Sequence, residues 1–99
     1  MALHFDVLII GSGLAGQSAA IRLAETCKVG LISKRTLDDS ASSRAQGGIA
    51  AVLDREDSTE DHIRDTLIAG GYLNDPEATR FVIENGRKSI EWLIDQGVE

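Results

Sequence analysis

The sequence predicts an α/β chain: a parallel strand-helix-strand unit, a long cofactor-type loop, and then helices only. Three observations carry that reading. Two short apolar runs, residues 5–10 (FDVLII) and 29–33 (VGLIS), flank a segment of helical periodicity. A glycine-rich turn joins the first run to that segment. Beyond residue 57 the apolar residues recur at helical spacing and the runs stop at glycines. A strand, a helix and a strand in that order close as a right-handed parallel βαβ unit.

Taken in order, residues 5–10 are apolar and rich in branched side chains, ended by Gly11, the pattern of a strand buried on both faces. From Leu14 to Cys27, Ala15, Ala19, Leu23 and Ala24 recur at helical spacing, with Gln17, Arg22 and Glu25 on other faces. Residues 29–33 form the second strand. Residues 35 to about 57 show no sustained period, and a compact domain rarely keeps about 20 such residues unless they bind something. A helix then starts at Ser58, with Asp61 at the capping-box position, Ile63 and Leu67 on one face, and Gly70-Gly71 at its end. Asp75-Pro76 reads as an N-cap with proline in the first turn, and Gly86 as the glycine past the helix end. In RKSIEWLIDQG, Ile90, Leu93 and Ile94 are expected inward, Trp92 is expected to pack the helix on the core, with an interface role as the alternative, and Gly97 is the exit.

Composition narrows the function. The chain has 99 residues, one domain at most. Sixteen acids against ten bases leave a formal charge of −6, which opposes attraction to nucleic acid or an anionic membrane surface. Small molecules or proteins are the expected partners. The single Cys27 has no partner for an intramolecular disulfide, no Cys/His spacing matches a metal site, and a reducing cytoplasm fits. The opening MALHFDVLII lacks a basic segment and is interrupted by Asp6, unlike a signal peptide. No stretch reaches the roughly 18 apolar residues of a membrane span.

Gly11-Ser12-Gly13-Leu14-Ala15-Gly16 is G-x-G-x-x-G, placed between the first strand and the first helix, where a dinucleotide site needs it. Gly11 suits the tight turn, Gly13 removes the Cβ that would obstruct a pyrophosphate, and Gly16 lets helix pack on strand. The helix N-terminus offers free N–H groups and about half a positive charge to phosphates. The competing reading is a strand-to-helix turn with no ligand. At the end of the second strand Ser33-Lys34-Arg35 stands where such a site usually carries an acid for the ribose. Taken alone, the cation there suggests NADP; a solvated basic turn is the plainer alternative.

The segment Ser42-Ser43-Arg44-Ala45-Gln46-Gly47-Gly48, running into IAAVL, combines hydroxyl, guanidinium and amide groups with two glycines. That mixture suits a planar polar ring and a phosphate, whereas a flexible surface loop leaves the following apolar run without a purpose. His62, among Glu60, Asp61 and Asp65, reads as a solvated residue, and His4 as a terminal one.

Together, DVLIIGSGLAGQSAAIRLA, LISK, AQGGIAAVLD, DHIRDTLIAGGYLND and WLIDQGV resemble the flavoprotein family of L-aspartate oxidase, fumarate reductase and the succinate dehydrogenase flavoprotein subunit. The resemblance spans essentially the whole chain and is strongest to the oxidase branch. It implies a Rossmann-like FAD-binding domain, incomplete here, with residues 1–99 as its N-terminal portion and the capping and helical C-terminal domains elsewhere. It also implies FAD-dependent oxidation of L-aspartate to iminoaspartate, the first step of de novo NAD synthesis. Oxygen or fumarate would be the electron acceptor, and quinolinate synthase a partner for the product. By resemblance, Ser12, Gly13, Leu14, Ala15 and Gly16 contact the pyrophosphate and Lys34 the adenosine side. Ala41, Ser42, Ser43, Arg44, Ala45, Gln46, Gly47 and Gly48 lie along the flavin side, Arg44 through its backbone. The respiratory members carry a His shortly before QGG that bonds the flavin covalently; DDSASSRA has none, which implies non-covalent FAD. The family's substrate-binding Arg and His residues fall beyond residue 99, so no catalytic residue is assigned.

Two strands are few for a parallel sheet, which needs both faces covered. The expectation is that the chain does not fold stably alone. Two other functions fit the motifs: a soluble fumarate reductase or succinate dehydrogenase flavoprotein, and a nucleotide-binding module with no redox role.

Overall fold

The computed structural model describes residues 2–99. Element order is β1 (Val7–Ile10), α1 (Leu14–Leu23), β2 (Val29–Ile32), α2 (Thr59–Ala69), α3 (Pro76–Glu84) and α4 (Gly86–Asp95). The chain divides into two compact units, Met1–Gly47 and Gly48–Glu99.

In the first unit β1 and β2 pair in parallel, with Val7 opposite Val29, Leu8 opposite Gly30, Ile9 opposite Leu31 and Ile10 opposite Ile32. The α/β class and the βαβ order stand as the sequence predicts. The strands are shorter than their apolar runs. Phe5 and Asp6 precede β1, where the Asp6 backbone N–H donates to the Lys28 carbonyl (2.8 Å) and the Asp6 carboxylate accepts the Lys28 N–H (2.8 Å). The Phe5 ring lies over Gly30, where a Cβ would stand 3.1 Å from it, and carries the Lys28 ammonium 5.4 Å from its centroid.

The expectation of a strand buried on both faces is corrected. Val7 and Ile9 turn toward α1 and are half-buried, while Leu8 is 53% and Ile10 84% exposed on the opposite face. A continuous apolar run reports a preference for burial, and here a single helix supplies the cover. The helix is also shorter than expected: α1 stops at Leu23, and the next turn tightens as Thr26 N–H and Cys27 N–H both donate to the Leu23 carbonyl (3.1 and 2.8 Å). Its half-buried face runs through Gly16, Ala19, Ala20 and Leu23, whereas Ala15 and Ala24, expected inward, are exposed.

In the second unit α2 packs on α3 and α3 on α4. Ser58 caps α2 by accepting the Asp61 N–H (3.0 Å), and Asp75 caps α3 by accepting those of Glu77 (2.9 Å) and Ala78 (3.1 Å), with Pro76 in its first turn. Ile63 is the buried apolar residue of α2, 5% exposed, with Leu67 half-buried beside it. After α2 and its cap Gly70 the chain turns at Gly71 (φ +62), with Gly71 N–H to Ile68 O (3.0 Å) and Tyr72 N–H to Leu67 O (2.9 Å). Helix α4 ends in the same way at Gly97 (φ +96), with Gly97 N–H to Ile94 O (2.9 Å) and Val98 N–H to Leu93 O (3.1 Å). Both are Schellman closures, in which a left-handed residue turns the chain back on the last carbonyls.

Gly86 behaves otherwise. It lies just past the end of α3, but it is not left-handed and is the first residue of α4. The Asn85 side chain donates to the Phe81 carbonyl (2.8 Å) and satisfies the end of α3, so the two helices meet at Asn85 without a loop. Along α4, Ile90, Trp92 and Leu93 are half-buried, and Ile94, expected inward, is exposed.

An ion pair ties α2 to α3: Arg80 Nη1 and Nη2 donate to the Glu60 carboxylate at 2.6 and 2.9 Å, and Nη1 reaches Glu84 at 3.1 Å. The Arg80 guanidinium holds the Glu60 carboxyl below its ordinary pKa of 4.5. A carboxyl with a depressed folded-state pKa contributes stability above its unfolded pKa and loses it as pH falls through the folded value. The melting temperature of the full-length protein is therefore expected to fall more steeply below pH 4.5 in wild type than in Arg80→Met. Equal slopes would remove the pair from the account. The effect is small, because both groups are exposed.

Candidate functional site

The glycine-rich turn is built from the end of β1 outward. Gly11 N–H donates to the Ile32 carbonyl (2.8 Å), which fastens the start of the turn to the end of β2. Gly11 has φ +115, a conformation that L side chains rarely adopt. Ser12 is 4% exposed, the buried polar residue of the turn. Its carbonyl accepts the Gln17 side-chain amide (2.7 Å), so the helix itself reaches back and holds the turn. Gly13 is the N-cap of α1, and the first intrahelical bond runs from Gln17 N–H to Gly13 O (3.0 Å).

That arrangement leaves the N–H groups of the first turn without helical acceptors. Gly13 has no side chain to cap them. Ser42, 28 residues later, accepts the Leu14 N–H at 3.0 Å, and a Cβ built on Gly13 would lie 3.3 Å from the same hydroxyl. Ala15 and Gly16 keep N–H groups that no helical carbonyl can reach at this position. Gly16 sits against the turn: a Cβ there would stand 2.0 Å from the Gly11 carbonyl oxygen and 3.5 Å from Ile9 Cγ2. The turn therefore has a bare glycine edge, unpaired amides and the positive end of α1, a combination that fits an anionic, pyrophosphate-like group.

Past β2, the Ser33 hydroxyl donates to the Arg35 carbonyl (2.5 Å) and bends the chain, leaving Lys34 exposed. The loop then forms turns, with no helix or strand before Thr59. Ser40 and Ser43 exchange hydrogen bonds, each backbone N–H to the other's hydroxyl at 3.2 Å. Arg44 N–H donates to Ala41 O (3.2 Å) and Ala45 N–H to Ser42 O (3.3 Å). The Arg44 guanidinium pairs with Asp39. Hydrogen bonding from Thr36 and then from its own backbone holds the Asp38 carboxyl below its ordinary pKa. Ala41 through Gly48 are exposed. An added Cβ on Gly47 or Gly48 meets nothing within 4 Å, and neither has a positive φ, so the neighbouring chain requires glycine at neither position.

Of the residues singled out from sequence, Ser12 to Gly16 and Ser42 come together at one helix end. Lys34 is exposed in the bend after β2, and Gly48 opens the second unit. Two participants were not legible beforehand. Gln17 is exposed, as its spacing predicts, but its bond back to Ser12 O has no signal in the sequence, and neither has the role of Ser42 as a remote cap. Thr66 and His62 are linked within α2, Thr66 Oγ1 donating to His62 O at 2.7 Å. Among the described residues no helix is long and apolar enough to cross a membrane, and no group of His, Cys, Asp and Glu is placed to hold a metal ion.

A parallel βαβ unit whose glycine turn opens the N-terminus of its helix defines a class of α/β domain suited to phosphate-bearing cofactors. Residues 6–99 match the family described as FAD binding domain, and the chain belongs to it. Its cofactor is FAD. The chain is 58% identical over 96 residues to L-aspartate oxidase 1 of Ralstonia nicotianae, covering 97% of this chain and 18% of that protein. It is 58% identical over 93 residues to L-aspartate oxidase of Yersinia pestis, covering 94% and 17% respectively. With L-aspartate oxidase of Pseudomonas aeruginosa it shares 49% over 100 residues, covering 99% and 19%. The chain thus spans 17 to 19% of the length of these relatives.

Proposed function

We propose that this chain is the N-terminal, FAD-contacting portion of an enzyme that oxidises L-aspartate to iminoaspartate in NAD biosynthesis. The observation that carries it is the 58% identity across 97% of the chain to a protein named L-aspartate oxidase. The geometry supports a Rossmann-like cofactor end. The Ala15 and Gly16 amides and the N-terminus of α1 would hold the pyrophosphate, with Ser12 and Gly13 forming the wall and Leu14 bonded to Ser42. Lys34 would meet the adenosine side. Ala41 to Gly48 would run along the flavin, which gives Gly47 and Gly48 a reason that the chain's own packing does not.

When bound, FAD supplies the acceptor for the hydride lost from the aspartate Cα, and the protein supplies position and electrostatics. These residues bind and orient; none is assigned to catalysis. The absence of His from residues 38–45 supports a non-covalent flavin. Oxygen or fumarate as acceptor, transfer of iminoaspartate to quinolinate synthase, and a cytoplasmic location are parts of the same proposal, the last resting on the free thiol of Cys27.

The full-length gene product, supplied with FAD and L-aspartate in air, is expected to form hydrogen peroxide and iminoaspartate in equal amounts. Succinate oxidation without aspartate turnover would reject this reading in favour of a succinate dehydrogenase or fumarate reductase flavoprotein. A protein that takes up no flavin would favour a module without redox chemistry.

A further inference from the structure

Between β2 and the second unit, one carboxylate gathers two guanidinium groups. Asp39 Oδ1 receives Arg44 Nη2, and Asp39 Oδ2 lies 3.5 Å from Arg35 Nη1. The carboxylate is turned inward, its side chain 22% exposed, while both arginines keep most of their surface in solvent. Arg35 stands at the strand exit and Arg44 follows Ser42 and Ser43, so Asp39 links the two ends of the turn-rich segment. Its own N–H donates to Thr36 O (3.0 Å). Beside it the Ser43 hydroxyl lies 2.8 Å from the Ser40 carbonyl and also bonds that of Asp38. The Ser43 bonds hold the residue next to Ser42 and the Asp39 pair holds Arg44 two residues on, while Ser42 is the residue whose hydroxyl meets the first turn of α1.

We infer that Asp39 is a positioning residue for the cofactor loop, and that the Arg44 side chain serves the loop through Asp39 instead of touching FAD. The inference rests on the FAD reading above. A loop held in one arrangement binds with its intrinsic affinity, whereas one that samples several loses affinity in proportion to the competent fraction. Arg35 alone, at the longer distance, holds Asp39 less firmly than Arg44 does.

The test is FAD affinity of the full-length apoprotein, read from flavin fluorescence, for wild type, Asp39→Asn, Arg44→Gln, the double variant and Arg44→Lys. Each neutralising variant is expected to raise the Kd about fivefold, the scale of one exposed ion pair acting through loop population. Because both act through one contact, the double variant is expected to stay near fivefold also, well short of the roughly twenty-five-fold of independent effects. Arg44→Lys keeps a cation within reach of a single carboxylate oxygen and is expected to recover the affinity to within about twofold. Thermal melts of the apoproteins should coincide; if Asp39→Asn melts early, Arg44→Gln, whose guanidinium is largely in solvent, carries the test.

An unchanged Kd in Asp39→Asn, multiplicative effects in the double variant, or no recovery with lysine would overturn the positioning role while leaving the FAD reading intact. A wild-type protein that binds no FAD would overturn both.

Discussion

Gly16→Ala is expected to leave the full-length protein unable to retain FAD and to destabilise it by about 3 kcal/mol, the upper part of the range for overpacking. The new Cβ would stand 2.0 Å from the Gly11 carbonyl oxygen and 3.0 Å from its carbon. Both are backbone atoms, and neither side of the clash can yield cheaply. The turn is fastened to β2 by Gly11 N–H and Ile32 O at 2.8 Å, and to α1 by Gln17 and Ser12 O at 2.7 Å. Relief needs α1 to lift from the sheet, which exposes the face of Ala19 and Leu23 and moves the free amides. Flavin content after gel filtration and a thermal melt monitored by circular dichroism measure both effects. Normal flavin occupancy in this variant would show that the helix can move without loss.

Gly13→Ala is expected to separate cofactor affinity from stability. Gly13 has φ −72 and ψ −175, extended backbone that any residue adopts, so alanine brings no conformational penalty. Its Cβ would lie 3.3 Å from the Ser42 hydroxyl, a single side-chain atom that can shift by a few tenths of an ångström. The melt should therefore move by less than the equivalent of about 1 kcal/mol, as for a change that neither opens a cavity nor strains the backbone. The methyl would nevertheless stand where the proposed pyrophosphate must approach the bare turn. An FAD Kd about a hundredfold weaker is expected, equivalent to roughly 2.7 kcal/mol. A Kd unchanged by Gly13→Ala, measured by flavin titration of the apoprotein, would place the phosphates elsewhere.

The glycine turn is legible because its glycines answer local demands that show in spacing: a positive φ at Gly11, close approach of the Ser42 hydroxyl at Gly13, a helix-to-turn contact at Gly16. Helix ends were legible for the same reason, as the caps at Ser58 and Asp75 and the left-handed exits at Gly71 and Gly97 bear out. Gly86 stands just past the end of α3 as its spacing predicts, but it is not left-handed, because Asn85 does the terminating work through its side chain, a choice the dipeptide does not reveal. The spacing places Ala19 and Leu23 on the half-buried face of α1 correctly, but that face continues through Gly16 and Ala20 in place of Ala15 and Ala24. Leu8 and Ile10 had the composition of a doubly buried strand, but composition records a preference and not which neighbours satisfy it. The remote partners were beyond any local rule. Ser42 meets Leu14 across 28 residues, and Arg80 meets Glu60 across 20.

The most direct measurement is the flavin content of the full-length gene product before and after acid precipitation. The expected result is close to one FAD per chain, released into the supernatant and leaving a colourless pellet. A chain that carries no flavin even after incubation with FAD, or one that keeps yellow flavin bound through denaturation, would contradict it.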